Sequence, residues 1–264
     1  MRLLNDILIY DTNPYFSDNA FIVFKSINDI LNLSYSNKNS LIFYDLVDDK
    51  KSIEIKKAHK TNIYEIRYSL DKINKKELVM SSSIANIKVW NIENYNCLAN
   101  IDFTGLDYEH FHATFILIDN EYFIVLKPSN EEDCIRIFTF NVGTIQKIGC
   151  YLPTTFIDVF YEEPNIYNTY IITGHYSCVK SFKLNNVEYN NYLDDHSLSD
   201  YSHPSGIIHK NEKISELIES CEDGIIRIWN FHTGLLLKKI ALNNDPLENL
   251  LNGICLWNND YLFI

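Results

Sequence analysis

The chain is short of basic charge, of paired cysteines, of glycine and proline, and of long apolar runs, and each shortage removes a class of protein. Its 264 residues carry 23 Lys and Arg against 35 Asp and Glu, a formal net charge of -12. That balance disfavours sequence-independent binding to nucleic acid or to an anionic membrane, both of which need a basic field. The local lysine clusters, Lys50, Lys51, Lys56, Lys57 and Lys60 and then Lys72, Lys75 and Lys76, read as solvated loop faces.

The six cysteines (Cys97, Cys134, Cys150, Cys178, Cys221 and Cys255) stand singly, without a C-x-x-C pair or a histidine pair at zinc spacing. They read as small buried or half-buried strand residues in a reducing compartment. No run approaches the roughly 18 apolar residues of a spanning helix, and residues 1–6 lack the apolar stretch of a signal peptide. A cytoplasmic protein is expected, with the nucleus as the other compartment open to it. The match of Asn32-Leu33-Ser34 to a glycosylation acceptor is then chance. Glycine and proline number only 8 and 6. Much of the turn work therefore falls to the abundant asparagine, which tolerates the left-handed conformation.

Chemical motifs are missing too. The chain has no glycine-rich phosphate cradle, zincin helix or G-x-S-x-G elbow. His110 and His112 share a strand face by spacing, yet no third metal ligand converges on them. The acidic groups Glu131-Glu132-Asp133 and Asp194-Asp195 fall in turns and lack the spaced ligands of a calcium loop. No catalytic, cofactor-binding or metal residue is assigned.

What is present is a large apolar reserve, 46% hydrophobic and 14% aromatic, and a repeat. Short β-type runs end in an aromatic residue six times: Ile7–Asp11, Leu41–Asp45, Ile87–Asn91, Ile135–Thr139, Val179–Lys183 and Ile225–Asn230. From Tyr44 onward the aromatic slot recurs every 44 to 48 residues, at Trp90, Phe138, Phe182 and Trp229. A period of that size marks a repeat architecture. Between slots the chain breaks into four strand-like pieces divided by polar turns. In the best-formed unit these are Gly206–His209, Ser215–Ser220, Gly224–Trp229 and Leu235–Ile240. The unit around Trp90 repeats the order with Ile63–Tyr68, Leu78–Ser82, Ile87–Trp90 and Cys97–Ile101. Four antiparallel strands per unit make one blade of a β-propeller, and no segment sustains a helical period.

The stretch Leu217-Ile-Glu-Ser-Cys-Glu-Asp-Gly-Ile-Ile-Arg-Ile-Trp-Asn-Phe-His-Thr-Gly234 resembles the third-strand pattern of the WD40 repeat family. Ala58-His59-x-x-x-Ile63 and Ser202-His203-x-x-x-Ile207 resemble that family's Gly-His loop. Its Trp-Asp signature is degenerate here, as Tyr44-Asp45, Trp90-Asn91, Phe138-Thr139, Phe182-Lys183 and Trp229-Asn230. The resemblance implies a structural tetrad of His203, Ser220, Asp223 and Trp229, in which His and Ser satisfy the buried indole N–H and the turn aspartate. A Ser, His and Asp in one blade resemble a nucleophilic triad only in composition, since a nucleophile must be exposed beside an oxyanion site. Replacing Asp223 by Ala is expected to cost about 1–3 kcal/mol. His59, Ser82 and Trp90 form a partial tetrad with Ile84-Ala85 at the turn, so apolar packing is expected to hold that blade. Gly174-His175 lies in a second-to-third strand turn, which makes His175 an exposed turn residue.

The fold expectation is an all-β propeller of four-stranded antiparallel blades, about five complete and a sixth partial. As one domain over 1–264, it divides into blades at 20–57, 58–102, 103–149, 150–195 and 196–242, with 243–264 the partial sixth. Residues 1–19 supply an outer strand of the closing blade and a linker, because Tyr10 precedes Tyr44 by only 34 residues. Gly253–Trp257 and Tyr261–Ile264 read as the first two strands of the last unit, so the sequence reads as an incomplete six- or seven-bladed ring. Open blade edges would favour oligomerisation or aggregation.

A non-enzymatic scaffold for protein or peptide partners is the leading functional expectation, with no cofactor, nucleic acid or membrane involved. Tyrosine-rich regions, Tyr161–Tyr170 and Tyr189–Tyr201, would serve as interface anchors or cover inter-blade grooves. The alternatives are a propeller enzyme using residues such as His112, Asp119, Asp158 and Glu216 in a central channel, and a substrate receptor of a larger assembly such as a ubiquitin ligase.

Overall fold

The computed structural model describes residues 20–71, 75–103, 111–118, 121–128, 134–141, 143–150, 152–162, 168–184, 187–193, 205–210, 214–241, 255–257 and 261–263. The Ile7–Asp11 run, His203, His110, Asp119 and the acidic groups at 131–133 and 194–195 lie outside them. The described secondary structure is β-strand, arranged as five four-stranded antiparallel sheets and one two-stranded sheet. The expected all-β class with repeated blade-type sheets is what the chain adopts.

Two compact units divide the strands, one of residues 1–111 with 140–142, the other of 112–139 with 143–264. In the first unit, one sheet is built from Phe21–Lys25 (β1), Leu31–Asn37 (β2), Ser40–Asp45 (β3) and Lys50–Ile55 (β4). The second sheet comprises Ile63–Asp71 (β5), Lys76–Ser83 (β6), Asn86–Asn91 (β7) and Cys97–Asp102 (β8).

The second unit holds three such sheets. The third sheet has Phe111–Ile118 (β9), Glu121–Pro128 (β10), Ile135–Phe138 (β11) and Thr144–Ile148 (β12), with Phe111 at the unit boundary. The fourth has Phe156–Tyr161 (β13), Thr169–Gly174 (β14), Val179–Lys183 (β15) and Val187–Tyr192 (β16). The fifth has Ser205–Lys210 (β17), Ser215–Ser220 (β18), Ile225–Asn230 (β19) and Leu236–Ala241 (β20), and Cys255–Trp257 (β21) pairs with Tyr261–Phe263 (β22).

Each four-stranded sheet has two faces, because strand side chains alternate. One face carries the recurring aromatic; we name it the slot face and its opposite the back face. Inside a unit, neighbouring sheets pack slot face on back face. Trp90, Val79 and Ile66 of the second sheet meet Leu41 and Phe43 of the first. Phe182 and Ile171 of the fourth meet Val125 and Ile137 of the third, and Trp229 and Leu217 of the fifth meet Ile172 and Tyr192 of the fourth. Full burial of one such side chain contributes about 1.5–3 kcal/mol, so these layers dominate stability. Gly206 marks a close approach in the last pair, since a Cβ there would lie 2.6 Å from the Phe156 ring.

Among the described residues, the non-glycine positions with left-handed backbone are Asp29, Lys38, Asp49, Lys57, Lys75 and Tyr95. In the described turns asparagine works through its side chain. Asn91 Oδ1 accepts the Glu93 N–H at 2.8 Å, and Asn230 Oδ1 accepts those of His232 and Thr233 at 3.1 and 3.0 Å. Asp45 does the same for Val47 and Asp48, both at 2.9 Å. The residue after the aromatic thus caps the turn to the fourth strand. That task needs an acceptor and no charge, so Asp and Asn interchange there.

Candidate functional site

The second sheet contains a continuous polar lock. Trp90 Nε1–H donates to Ser81 Oγ at 2.8 Å, and Ser81 Oγ contacts His59 Nε2 at 2.7 Å. His59 Nδ1 contacts Asn86 Oδ1 at 2.6 Å, and Asn86 Nδ2 donates to Asn100 Oδ1 at 2.8 Å. Because the indole can only donate, the serine hydroxyl turns its proton toward Nε2, which leaves Nδ1 as the protonated nitrogen facing the Asn86 carbonyl oxygen. The donors therefore run in one direction from Trp90 to Asn100, an arrangement in which neighbouring bonds polarise one another. Burial pushes His59 down to about 4, so the imidazole is neutral. Lys88 donates from Nζ to the Ala58 carbonyl at 2.6 Å and lies over the Trp90 ring, pinning the same loop.

Two expectations change here. His59 and Trp90 join through Ser81, and Ser82 is buried with no hydrogen-bond partner among the described residues. Three serines in a row, Ser81–Ser83, concealed the register, and a one-residue slip moves a side chain to the other face. The lock is also complete without an aspartate: Asn86, just beyond the Ile84-Ala85 turn, takes the acceptor role. Apolar packing therefore does not act alone in this sheet.

The same register slip applies to the fifth sheet. Trp229 Nε1–H donates to Glu219 Oε1 at 2.9 Å, whereas Ser220 Oγ donates to the Ser205 carbonyl at 3.4 Å. Asp223 is in place but its partner is Arg227, which grips both carboxylate oxygens; Asp223 also accepts the Ile225 N–H at 3.0 Å. Burial opposes ionisation of Asp223, and the Arg227 guanidinium overrides it, holding the carboxyl below its ordinary value. His203, the fourth member expected, lies outside the described residues.

The fourth sheet reaches a similar end from another position. His175 sits in the β14–β15 turn as the register requires, but it is 1% exposed, not an exposed turn residue. Its Nδ1 donates to the Pro153 carbonyl at 2.7 Å and its Nε2 accepts from Thr173 Oγ1 at 2.8 Å. Thr173 occupies the position held by Ser81 and Glu219, two residues beyond the one opposite the aromatic. In one sheet a loop histidine reaches to a turn, and in the other a turn histidine reaches back to the loop. The facing cross-strand residues are Lys88, Lys180 and Arg227. A basic residue two places before the aromatic was visible in the repeats as a shared slot-face position.

This pinned end of the fourth sheet presents three exposed apolar side chains. Leu152 precedes β13, Tyr176 lies in the β14–β15 turn and Leu193 follows β16; they are 38%, 53% and 55% exposed. Between the fourth and fifth sheets, described tyrosines fill the groove. Tyr170 and Tyr192 are buried, and Tyr192 donates to the Phe231 carbonyl at 2.6 Å. Lys183 lies 4.9 Å from the Tyr189 ring centre and 5.7 Å from that of Tyr170. His232 contacts Tyr189 through Nδ1 and Glu162 through Nε2, both at 3.1 Å. Tyr161 accepts the Leu117 N–H at 2.8 Å, tying the third sheet to the fourth.

Of the residues named for a catalytic channel, Glu216 pairs with His209 at 3.0 Å, and Asp158 Oδ1 accepts the Val159 N–H at 2.8 Å. Among the described residues, no group of three or more His, Cys, Asp or Glu is placed to hold a metal ion. Cys97, Cys134, Cys150, Cys178 and Cys221 are free thiols, of which Cys97 is exposed. No helix among the described residues is long and apolar enough to cross a membrane.

These features define a propeller-type set of four-stranded sheets, with histidine-centred locks in the second and fourth. No family model and no curated protein matches the sequence. Among solved structures, 1026 chains match, so the fold by itself selects no activity. One is the crystal structure of Chaetomium thermophilum Raptor, with a TM-score of 0.64 and 13% identity over 86% of this chain. The match covers 21% of that structure, so this chain corresponds to about a fifth of its length, and the likeness is one of fold.

Proposed function

We propose that the protein is a non-enzymatic interaction scaffold of the WD40 type, and that a protein or peptide partner docks at the loop end of the fourth sheet. The observation that carries the reading is the exposed trio Leu152, Tyr176 and Leu193, of which Leu152 and Tyr176 sit on loops that His175 ties together through the Pro153 carbonyl. Exposed apolar side chains on a rigid frame suit partner binding, because little conformational entropy is lost when the partner arrives. Tyrosine is an effective anchor at such a site. The free thiols suit a reducing compartment, in keeping with a cytoplasmic scaffold.

The test is affinity capture with the native chain and with a Tyr176→Ser/Leu193→Ser variant, read by mass spectrometry beside circular dichroism. The scaffold reading expects the variant to fold equally well and to lose a discrete set of partners. An identical partner set for both chains would overturn the assigned surface.

A further inference from the structure

The lysines between residues 50 and 60 divide into two kinds. Lys50 and Lys51 are engaged in ion pairs with Asp48 and Glu54, at 2.5 and 2.9 Å. Lys56, Lys57 and Lys60 are exposed and have no ion-pair partner among the described residues, and the fold brings a fourth such lysine, Lys38, to them. Lys38 lies in the β2–β3 turn, where its carbonyl accepts the Ile63 N–H at 2.9 Å. The next two residues of the turn bind the same loop: the Asn39 carbonyl accepts the His59 N–H at 3.0 Å, and Ser40 Oγ accepts that of Lys57 at 3.3 Å. Four lysines therefore gather at one end of the first and second sheets. The described acids at that end do not balance them, since Glu54 and Glu65 are held by Lys51 and Arg67 at 2.9 and 2.8 Å, which leaves Asp102 on β8.

The loop that carries them is fixed. Lys38 and Lys57 hold left-handed φ angles of 55° and 51°, which lysine has no short polar side chain to stabilise locally, so the surrounding contacts enforce them. Those contacts are the hydrogen bonds just given and Lys88 Nζ, which reaches the Ala58 carbonyl at 2.6 Å. Ile84, in the adjoining β6–β7 turn, is 47% exposed, and Ser83 and Asn86, which flank that turn, contact His59 at 3.1 and 2.6 Å. We infer that this end of the first two sheets is a docking surface for a short acidic peptide, whose carboxylates meet Lys38, Lys56, Lys57 and Lys60 while an apolar side chain covers Ile84. A short ligand suits the charge distribution. Screening limits the field it meets to about 8 Å, where lysine dominates, whereas a nucleic acid or an anionic membrane extends over the rest of a chain of net charge -12. Cations held in place before binding also lose little entropy when the peptide arrives. The surface goes beyond the scaffold reading and shares no residue with the Tyr176 site, so either can fail without the other.

The experiment is fluorescence anisotropy with a labelled probe peptide of Asp and Glu around one central Leu, beside the same peptide with Asn and Gln replacing the acids. The native chain should bind the acidic probe, release it as salt rises, and leave the amide version free. Lys56→Glu/Lys60→Glu should weaken binding at least about tenfold, because two attractions become repulsions, and Lys56→Arg/Lys60→Arg should retain it. Ile84→Ser should weaken it roughly fivefold, through the loss of one half-exposed apolar contact. The control is Lys75→Glu/Lys76→Glu, the same change of net charge at the β5–β6 turn, the other end of the second sheet, which should leave binding within about twofold. Circular dichroism checks that each variant folds. No binding of the acidic probe, an equal loss in the Lys75/Lys76 variant, or tighter binding of a single-stranded oligonucleotide than of the peptide would each overturn the inference.

Discussion

Replacing Ser81 by Ala tests the lock of the second sheet against its neighbour in sequence. Ser81 Oγ is the shared partner of Trp90 Nε1 and His59 Nε2, and all three residues are buried. Truncation leaves a buried donor and a buried acceptor unpaired, each at about 1–3 kcal/mol, so Ser81→Ala should cost roughly 2–4 kcal/mol. Ser82→Ala removes a hydroxyl that is buried without a described partner, which by the same logic changes stability by less than about 1 kcal/mol and in the stabilising direction if at all. Native-state hydrogen exchange of peptides spanning Leu78–Asn91, followed across low urea concentrations, measures the effect in the sheet concerned. If Ser82→Ala cost as much as Ser81→Ala, the register and the lock built on it would be wrong.

Three further outcomes follow from the same geometry. His59 is held at about 4 when folded against the ordinary histidine value of 6.5, so the unfolded chain binds the extra proton between those values. Stability should therefore fall by about 3 kcal/mol as pH drops from 6.5 to 4, and calorimetry of a His59→Gln variant should lose that component of the slope. Asn86→Asp places a carboxylate against Nδ1 and favours the imidazolium, so the His59 titration seen by NMR should move up and the acid sensitivity should diminish. Gly206→Ala sets a methyl group against the Phe156 ring, and thermal unfolding of the second unit should show a loss of about 1–3 kcal/mol.

Much of the fold was legible because the aromatic slot and the strand period report packing directly. Ile87–Trp90 and Ile225–Trp229 alternate as strands must, and their flanking turns are polar. The polar locks were legible in composition and not in register. His59 and Trp90 were found, but the choice among Ser81, Ser82 and Ser83 depends on which face each occupies, and that is set by the length of the following turn. The turn from β18 to β19 is one residue longer, so counting back from Trp229 selects Ser220 when the slot-face residue is Glu219. Asn86 was missed because the acceptor was sought in the turn and expected to be charged. His175 was placed correctly along the chain, yet its burial follows from a carbonyl at Pro153, 22 residues earlier, which no local pattern announces.

The central claim, that pinned loops of the fourth sheet form a partner-binding surface, is tested most directly by site-specific photo-cross-linking. A photoreactive phenylalanine analogue at position 176 is compared with one at Thr233, which is exposed in the β19–β20 turn. The account predicts a discrete protein adduct from position 176 and none in common with position 233. Equal or absent adducts at position 176, in a chain that folds normally, would contradict it.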